Sequence, residues 1–160
     1  LANEPTSHRA ELVKRLVNNQ QVVLFDATVP SNFEQKFDRI LIDAPCTGLG
    51  ALRRRPEARW RKSLQDLKEL VLLQKQLLAS AYQLLSPNGV IAYVTCSPHL
   101  AETKGQVIDF LSAHADMKII PMGNLDSAHK DGILSDGTVQ LWTHHNHSDA
   151  MFMAIFEKVG

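Results

Sequence analysis

Leu77-Leu78-Ala79-Ser80-Ala81-Tyr82-Gln83-Leu84-Leu85-Ser86-Pro87-Asn88-Gly89-Val90-Ile91-Ala92-Tyr93-Val94-Thr95 changes its period part-way along, and that change decides the fold. From Leu64 to Leu85, apolar residues recur at Leu64, Leu67, Leu70, Val71, Leu77, Leu78, Ala81, Leu84 and Leu85, the spacing of one helical face. Pro87-Asn88-Gly89 ends the helix with turn formers. Val90 to Thr95 is then a short, continuously apolar run, the pattern of a buried strand.

The same alternation extends in both directions. Ser7 to Val17 places Ala10, Val13, Leu16 and Val17 on one helical face, with Thr6 or Ser7 as cap. Val22-Val23-Leu24-Phe25 and Arg39-Ile40-Leu41-Ile42-Asp43 read as buried strands. A helix over Glu102 to His114 would turn Val107, Ile108 and Leu111 inward, and Met117 to Ile120 is a short strand. Gly123 to Gly137 reads as a loop. Val139 to Thr143 and Ala150 to Phe156 are two more strands. His144 to Asp149 leaves no room for a helix between them, and a parallel pair needs a crossover of about a dozen residues, so this pair is antiparallel. The expected architecture is α/β: a doubly wound, mostly parallel sheet closing on a C-terminal antiparallel strand pair.

A chain of 160 residues can bury one real core, and its 44% hydrophobic and 21% charged residues are ordinary for a globular domain. No stretch approaches the ~20 apolar residues of a membrane span, so no membrane partner is expected. The start, Leu1-Ala2-Asn3-Glu4-Pro5, has no signal-peptide character and no methionine, and is expected to be a cut end. The formal net charge is zero, so global charge does not announce nucleic acid. Two cysteines, Cys46 and Cys96, are too few for a disulfide scaffold and read as reduced thiols of a cytosolic enzyme or as inert buried residues.

In an open α/β sheet, ligands bind outside the carboxyl ends of the strands. Glu4, Asp26, Asp43 to Cys46, and Thr95 to Ser97 all lie at such ends. In Asp43-Ala44-Pro45-Cys46-Thr47-Gly48-Leu49-Gly50, Pro45 stiffens the loop and the glycines admit a flat ligand, so Cys46 is displayed and not stowed in a strand. Bland alternatives stand beside these: a strand-to-helix turn for the loop, a helix cap for Glu4 and a turn residue for Asp26. Arg53, Arg54, Arg55, Arg59, Arg61 and Lys62 put six cations in ten residues around Trp60, which suits phosphate contacts with Trp60 stacking or packing, or a plain solvated loop. His144, His145 and His147 lack a cysteine or carboxylate at a ligand spacing, so no metal is expected.

The segment from Asp43 to Trp60 resembles the signature of the bacterial ribosomal RNA cytosine-C5 methyltransferases of the RsmB/Sun/Fmu type. Tyr93-Val94-Thr95-Cys96-Ser97 is similar to their second cysteine motif, and His147-Ser148-Asp149-Ala150-Met151-Phe152-Met153-Ala154 to their C-terminal strand motif. The resemblance implies a Rossmann-like class I methyltransferase fold, S-adenosylmethionine as cofactor, ribosomal RNA (16S) as partner and the bacterial cytoplasm as location. It implies Cys96 as nucleophile on cytosine C6, Cys46 in product release, and Asp43 at the target cytosine. Glu4 is implied at the ribose, Asp26 at the adenine, and Asp43 with Pro45 beside the cofactor. It also implies RNA contacts by Arg53, Arg54, Arg55, Arg59 and Trp60.

The chemistry asks for such an arrangement, because a thiolate adding to C6 makes C5 nucleophilic and a carboxyl near N3 favours the addition. From residue chemistry alone either cysteine could attack, and DNA cytosine methyltransferases use the Pro-Cys position. Two departures matter. The glycine-rich turn for the methionine end, with the first strand that carries it, is expected upstream of Leu1, so residues 1–160 read as a partial catalytic domain lacking an N-terminal portion of the same protein. Thr103 stands where the resembling proteins often have Asn. The rival functions are a non-catalytic RNA-binding or scaffold module and a DNA cytosine-C5 methyltransferase. Thr95-Cys96-Ser97 disfavours the second of these.

Overall fold

The computed structural model describes residues 1–17, 21–123 and 129–160. In chain order the regular elements are β1 (Ala2–Asn3), α1 (Ser7–Leu16), β2 (Val22–Val23), β3 (Phe37–Asp43), α2 (Ala58–Arg61), α3 (Leu64–Leu84), β4 (Leu85–Thr95), α4 (Lys104–Ala113), β5 (Met117–Ile119), β6 (Val139–Gln140), α5 (Thr143–Asn146) and β7 (Phe152–Lys158). β1 and β2 pair in parallel as a separate two-stranded sheet. β3 and β4 are parallel, and among the described residues every antiparallel pairing of named strands involves β7, which runs between β4 and β5 and also holds β6. The mixed α/β, Rossmann-like architecture expected from the sequence is the one observed.

α3 begins at a capping box: Ser63 Oγ accepts from Asp66 N at 3.1 Å, and Asp66 Oδ2 accepts from Ser63 N at 2.7 Å. Such a box satisfies two backbone donors that would otherwise lack partners. Gln74, Leu78, Ala81 and Leu84 then form the buried stripe of the helix, which packs on β3, β4 and α4. Across from it lie Ile91 and Tyr93 of β4 and Phe152, Ala154 and Phe156 of β7, on alternate positions of strands that have neighbours on both sides.

Several expectations are corrected. Pro87-Asn88-Gly89 does not precede the strand but bulges within it. The register jumps from Phe37↔Leu85 to Arg39↔Val90, and Asn88 takes the left-handed φ of 59°. Thr143 to Asn146 forms one helical turn, with Asn146 N bonded to Trp142 O at 2.8 Å, so the connection expected to leave no room for a helix does hold a short one. The β6–β7 pair is antiparallel as expected, but β6 is only two residues long.

Ile108 is exposed and Phe110 takes the inward place on α4. Val22–Phe25 and Arg39–Asp43 are not buried strands. Leu24, just past β2, is 47% exposed, and Leu41 is 71% exposed because it alternates with buried Ile42 and lies on the less covered face of β3. The Gly123–Gly137 loop falls partly outside the described residues, at 124–128; beyond them it contains a short turn at Lys130–Gly132 and a bridge from Ile133 to Val139. Among the described residues no helix is long and apolar enough to cross a membrane.

Candidate active site

Parallel neighbours end on the same side of a sheet, so β3 and β4 deliver their following loops to one place. Asp43 is in register with Val94, and Ala44 N continues the ladder to Val94 O at 2.9 Å. Cys46 leaves from the first loop and Cys96 from the second, and their sulfurs lie 3.3 Å apart. Gly48, at φ 71°, turns the first loop back. Gly50 N then bonds to Cys96 O at 2.9 Å, and Gly50 O accepts from Ala150 N at 3.0 Å. A Cβ on Gly50 would lie 1.9 Å from Ala150 O, so only glycine lets the three loops meet.

The pair is electrostatically unequal. The hydrogen bond from the Cys46 thiol lowers the Cys96 pKa to about 7, outweighing burial and the charges of Asp43 and Asp149, which push it up. Acting as donor to Cys96, and partly buried, Cys46 is itself pushed well above an ordinary thiol. Cys96 is therefore the better thiolate at neutral pH, and the thiolate is the nucleophilic form.

Behind the sulfurs lies a buried polar network that the sequence reading did not single out. The Glu102 carboxylate, fully buried, accepts from Thr47 N at 2.8 Å, Thr47 Oγ1 at 2.6 Å, Ser97 Oγ at 2.6 Å and Gln74 Nε2 at 3.1 Å. Gln74 Nε2 also donates to Pro45 O at 2.8 Å. The sequence signals were that Thr47 and Ser97 each follow a cysteine and that Glu102, before Thr103, stands where the resembling proteins have an acid.

The remaining candidates are placed as follows. Asp43 and Pro45 are exposed at the mouth of the first loop. Arg54 holds Asp149 with two guanidinium nitrogens, Nε reaching Oδ2 at 2.9 Å. Hydrogen bonding from Arg54 lowers the Asp149 pKa, and the Arg54 charge is felt at Cys96. Arg53 and Arg55 are exposed. Trp60 is 79% exposed, which excludes packing, and the Arg59 guanidinium lies 4.6 Å from its ring centre.

Glu4 and Asp26 follow β1 and β2 and lie apart from the thiol loops in the chain order of strand ends. Glu4 accepts from Thr6 N at 3.0 Å and pairs with Arg9 at 3.1 Å. Burial raises its pKa, but those two partners more than offset it. Asp26 Oδ1 accepts from Thr28 Oγ1 at 2.7 Å and from Thr28 N at 2.9 Å, which lowers its pKa. The turn reading of Asp26 is thus realised, whereas Glu4 is not the helix cap: Thr6 holds that position and no side chain caps α1.

A Rossmann-like sheet presenting reactive loops at its parallel strand ends is the architecture of a methyltransferase domain. The chain belongs to the family described as 16S rRNA methyltransferase RsmB/F, whose model matches residues 1–157. A Mycobacterium tuberculosis protein provisionally named a methyltransferase is 44% identical over 99% of the chain and 35% of its own length. The ribosomal RNA small subunit methyltransferase B of Pectobacterium atrosepticum is 34% identical over 90% of the chain and 32% of its own length. The crystal structure of NSun6 from Pyrococcus horikoshii with SFG matches at a TM-score of 0.82 and 27% identity, covering 99% of this chain and 41% of that one. The chain thus spans about a third of the curated relatives it matches.

Proposed function

We propose that this chain is the thiol-bearing part of an S-adenosylmethionine-dependent RNA methyltransferase that methylates C5 of a cytosine in ribosomal RNA, in the bacterial cytoplasm. The observation that carries the reading is the Cys46–Cys96 pair, 3.3 Å apart with Cys96 lowered to about 7. The relatives named as ribosomal RNA methyltransferases supply the substrate class, and the SFG in the NSun6 structure, an analogue of S-adenosylmethionine, supports the cofactor.

The residues present fit the adenosine half of that cofactor. Asp26 uses only Oδ1 for Thr28, and Arg9, the partner of Glu4, is 65% exposed and exchangeable for ribose hydroxyls. When bound, S-adenosylmethionine supplies an electrophilic methyl group. Cys96 thiolate would form a bond to cytosine C6 and move the electron pair toward C5, which would take the methyl as the methyl–sulfur bond of the sulfonium breaks and its electron pair stays on sulfur. Asp43 holds the base edge at N3, where hydrogen bonding favours the addition. After transfer a base removes the C5 proton and the Cys96–C6 bond breaks; Cys46, protonated at neutral pH, assists that release. Arg53, Arg55, Arg59 and Trp60 hold neighbouring nucleotides by charge and stacking. Residues 1–160 form part of one catalytic domain, and the edge of β3, unpaired among the described residues, accepts a further strand from the same protein.

The test uses the natural full-length protein with substrate RNA and cofactor on a denaturing gel. Cys96→Ala is expected to abolish methylation and any covalent adduct. Cys46→Ala is expected to stall after methyl transfer and leave an RNA–protein adduct. An adduct from Cys96→Ala would reverse the roles of the thiols, and no adduct from either, with methylation intact, would remove covalent catalysis. A preference for DNA over RNA would move the substrate class.

A further inference from the structure

Glu102 lies in the turn Leu100–Glu102 that leads into α4, and it is fully buried without a cation beside it among the described residues. A buried carboxylate is expensive unless its oxygens are well hydrogen-bonded, and an apolar side chain would serve packing better. Its donors are placed to an evident end. Thr47, giving both N–H and Oγ1, follows Cys46; Ser97 follows Cys96; and Gln74 also grips Pro45, the residue before Cys46. Tyr93 OH fixes the backbone of Glu102 itself by donating to its carbonyl at 2.8 Å. One carboxylate therefore ties together the two loops whose separation sets the sulfur–sulfur contact.

We propose that Glu102 is a positioning residue for the thiol pair, holding the two cysteine loops at the distance at which Cys46 donates its hydrogen bond to Cys96. This deepens the reading of Cys96 as nucleophile and rests on it. Glu102 acts through geometry. The charged and titratable groups that face Cys96 are the Cys46 thiol, the carboxylates of Asp43 and Asp149, and the Arg54 guanidinium.

The test needs neither RNA nor cofactor: iodoacetamide alkylation of Cys96 in the natural full-length protein is followed against pH by mass spectrometry, with circular dichroism to confirm folding. The wild type is expected to show a midpoint near pH 7, with Cys46 slow. Glu102→Gln keeps the tie, because the Thr47 and Ser97 hydroxyls can rotate to accept from the amide, and its midpoint stays near the wild type. In Glu102→Ala the midpoint rises by about one unit or more toward the ordinary thiol value. One unit means about tenfold less thiolate at pH 6; since nucleophilicity rises with pKa, the rate falls about threefold to fourfold.

Should Glu102→Ala not fold, Ser97→Ala, which unties only the Cys96 loop, is expected to move the midpoint in the same direction. Folded Glu102→Ala or Ser97→Ala with an unmoved midpoint overturns the proposal. So does a Glu102→Gln shift as large as that of Glu102→Ala, which would make the effect one of charge. A wild type that alkylates at Cys46 first sinks the reading of Cys96 as nucleophile, and the positioning role with it, so the two failures are distinguishable.

Discussion

The five-stranded sheet and the two-stranded sheet are made of similarly apolar sequence and behave oppositely. Ile91, Tyr93, Phe152 and Phe156, on strands flanked by others, are wholly buried. Leu24 and Phe25, beside the β1–β2 pair, remain 47% and 36% exposed, and Leu16 of the adjoining α1 is 81% exposed. The number of neighbours a strand has decides burial more than its own hydrophobicity. Function divides along the same line. The thiol loops leave the well-flanked strand β4 and its parallel partner, and are cross-tied through Gly50 and Glu102. The side chains of Glu4 and Asp26 are held by near neighbours in sequence, Thr6, Arg9 and Thr28, while the Glu4 backbone is tied across to Val23 O at 3.0 Å.

The contrast breaks most easily on stability. Phe156→Ala removes a fully buried ring and is expected to cost about 3–5 kcal/mol, whereas Leu16→Ala, at an exposed helix position, should stay within about 0.5 kcal/mol. Denaturant unfolding of both variants measures the difference. Comparable losses would mean that α1 packs as tightly as the main sheet and that the division is false.

A smaller effect sharpens the role of the basic run. The free guanidinium of Arg53 is expected to give up about one unit of log–log salt slope in RNA binding on Arg53→Ala. Arg54→Ala should move the slope less, since Asp149 already neutralises Arg54. Its effect should appear in acid instead. The Asp149 pKa is depressed in the folded chain, so the pair's stabilisation is fully present above the unfolded carboxyl value of about 3.9 and is lost as pH falls below it through the lower folded value. Arg54→Ala is expected to flatten this acid limb in unfolding curves. Equal salt slopes for the two variants would show that Asp149 releases Arg54 to RNA.

The main sheet was legible in the sequence because Leu64–Leu85 and Val90–Thr95 are long enough for their periods to speak, and the thiol loops because two motifs flank parallel strands. What was not legible depends on neighbours. Nothing in Arg39–Asp43 itself says that the Leu41 face of the strand is left uncovered, nor in Thr143–Asn146 that four polar residues close a helical turn on Trp142 O. Ile108 and Phe110 are both apolar, and only docking on α3 chooses between them. Glu102 stands where the resembling proteins have an acid, but nothing beside it in the sequence says what it holds. Its four donors come from Thr47, Gln74 and Ser97, and converge only after folding. Arg54 reads as one of a run, and its bidentate partner lies 95 residues away.

The smallest effect concerns the two-stranded side. If Glu4 and Asp26 are its only contributions to the cofactor, this chain binds S-adenosylmethionine weakly. Two hydrogen bonds to charged groups are worth about 1.5–3 kcal/mol each, and association itself costs about 4 kcal/mol or more. The balance is about 2 kcal/mol at most, far short of the about 4.1 kcal/mol that a 1 mM dissociation constant represents. Stacking on exposed Phe25 could add about 1–3 kcal/mol, which still brings the total only to the millimolar range. Glu4→Gln and Asp26→Asn should then change little that calorimetry can detect in this chain, and the same substitutions should weaken binding clearly only where a methionine cradle is supplied by the longer protein. Micromolar affinity in residues 1–160 alone would mean that the loosely held side is already a formed site, and the contrast between the two sheets would not extend to function.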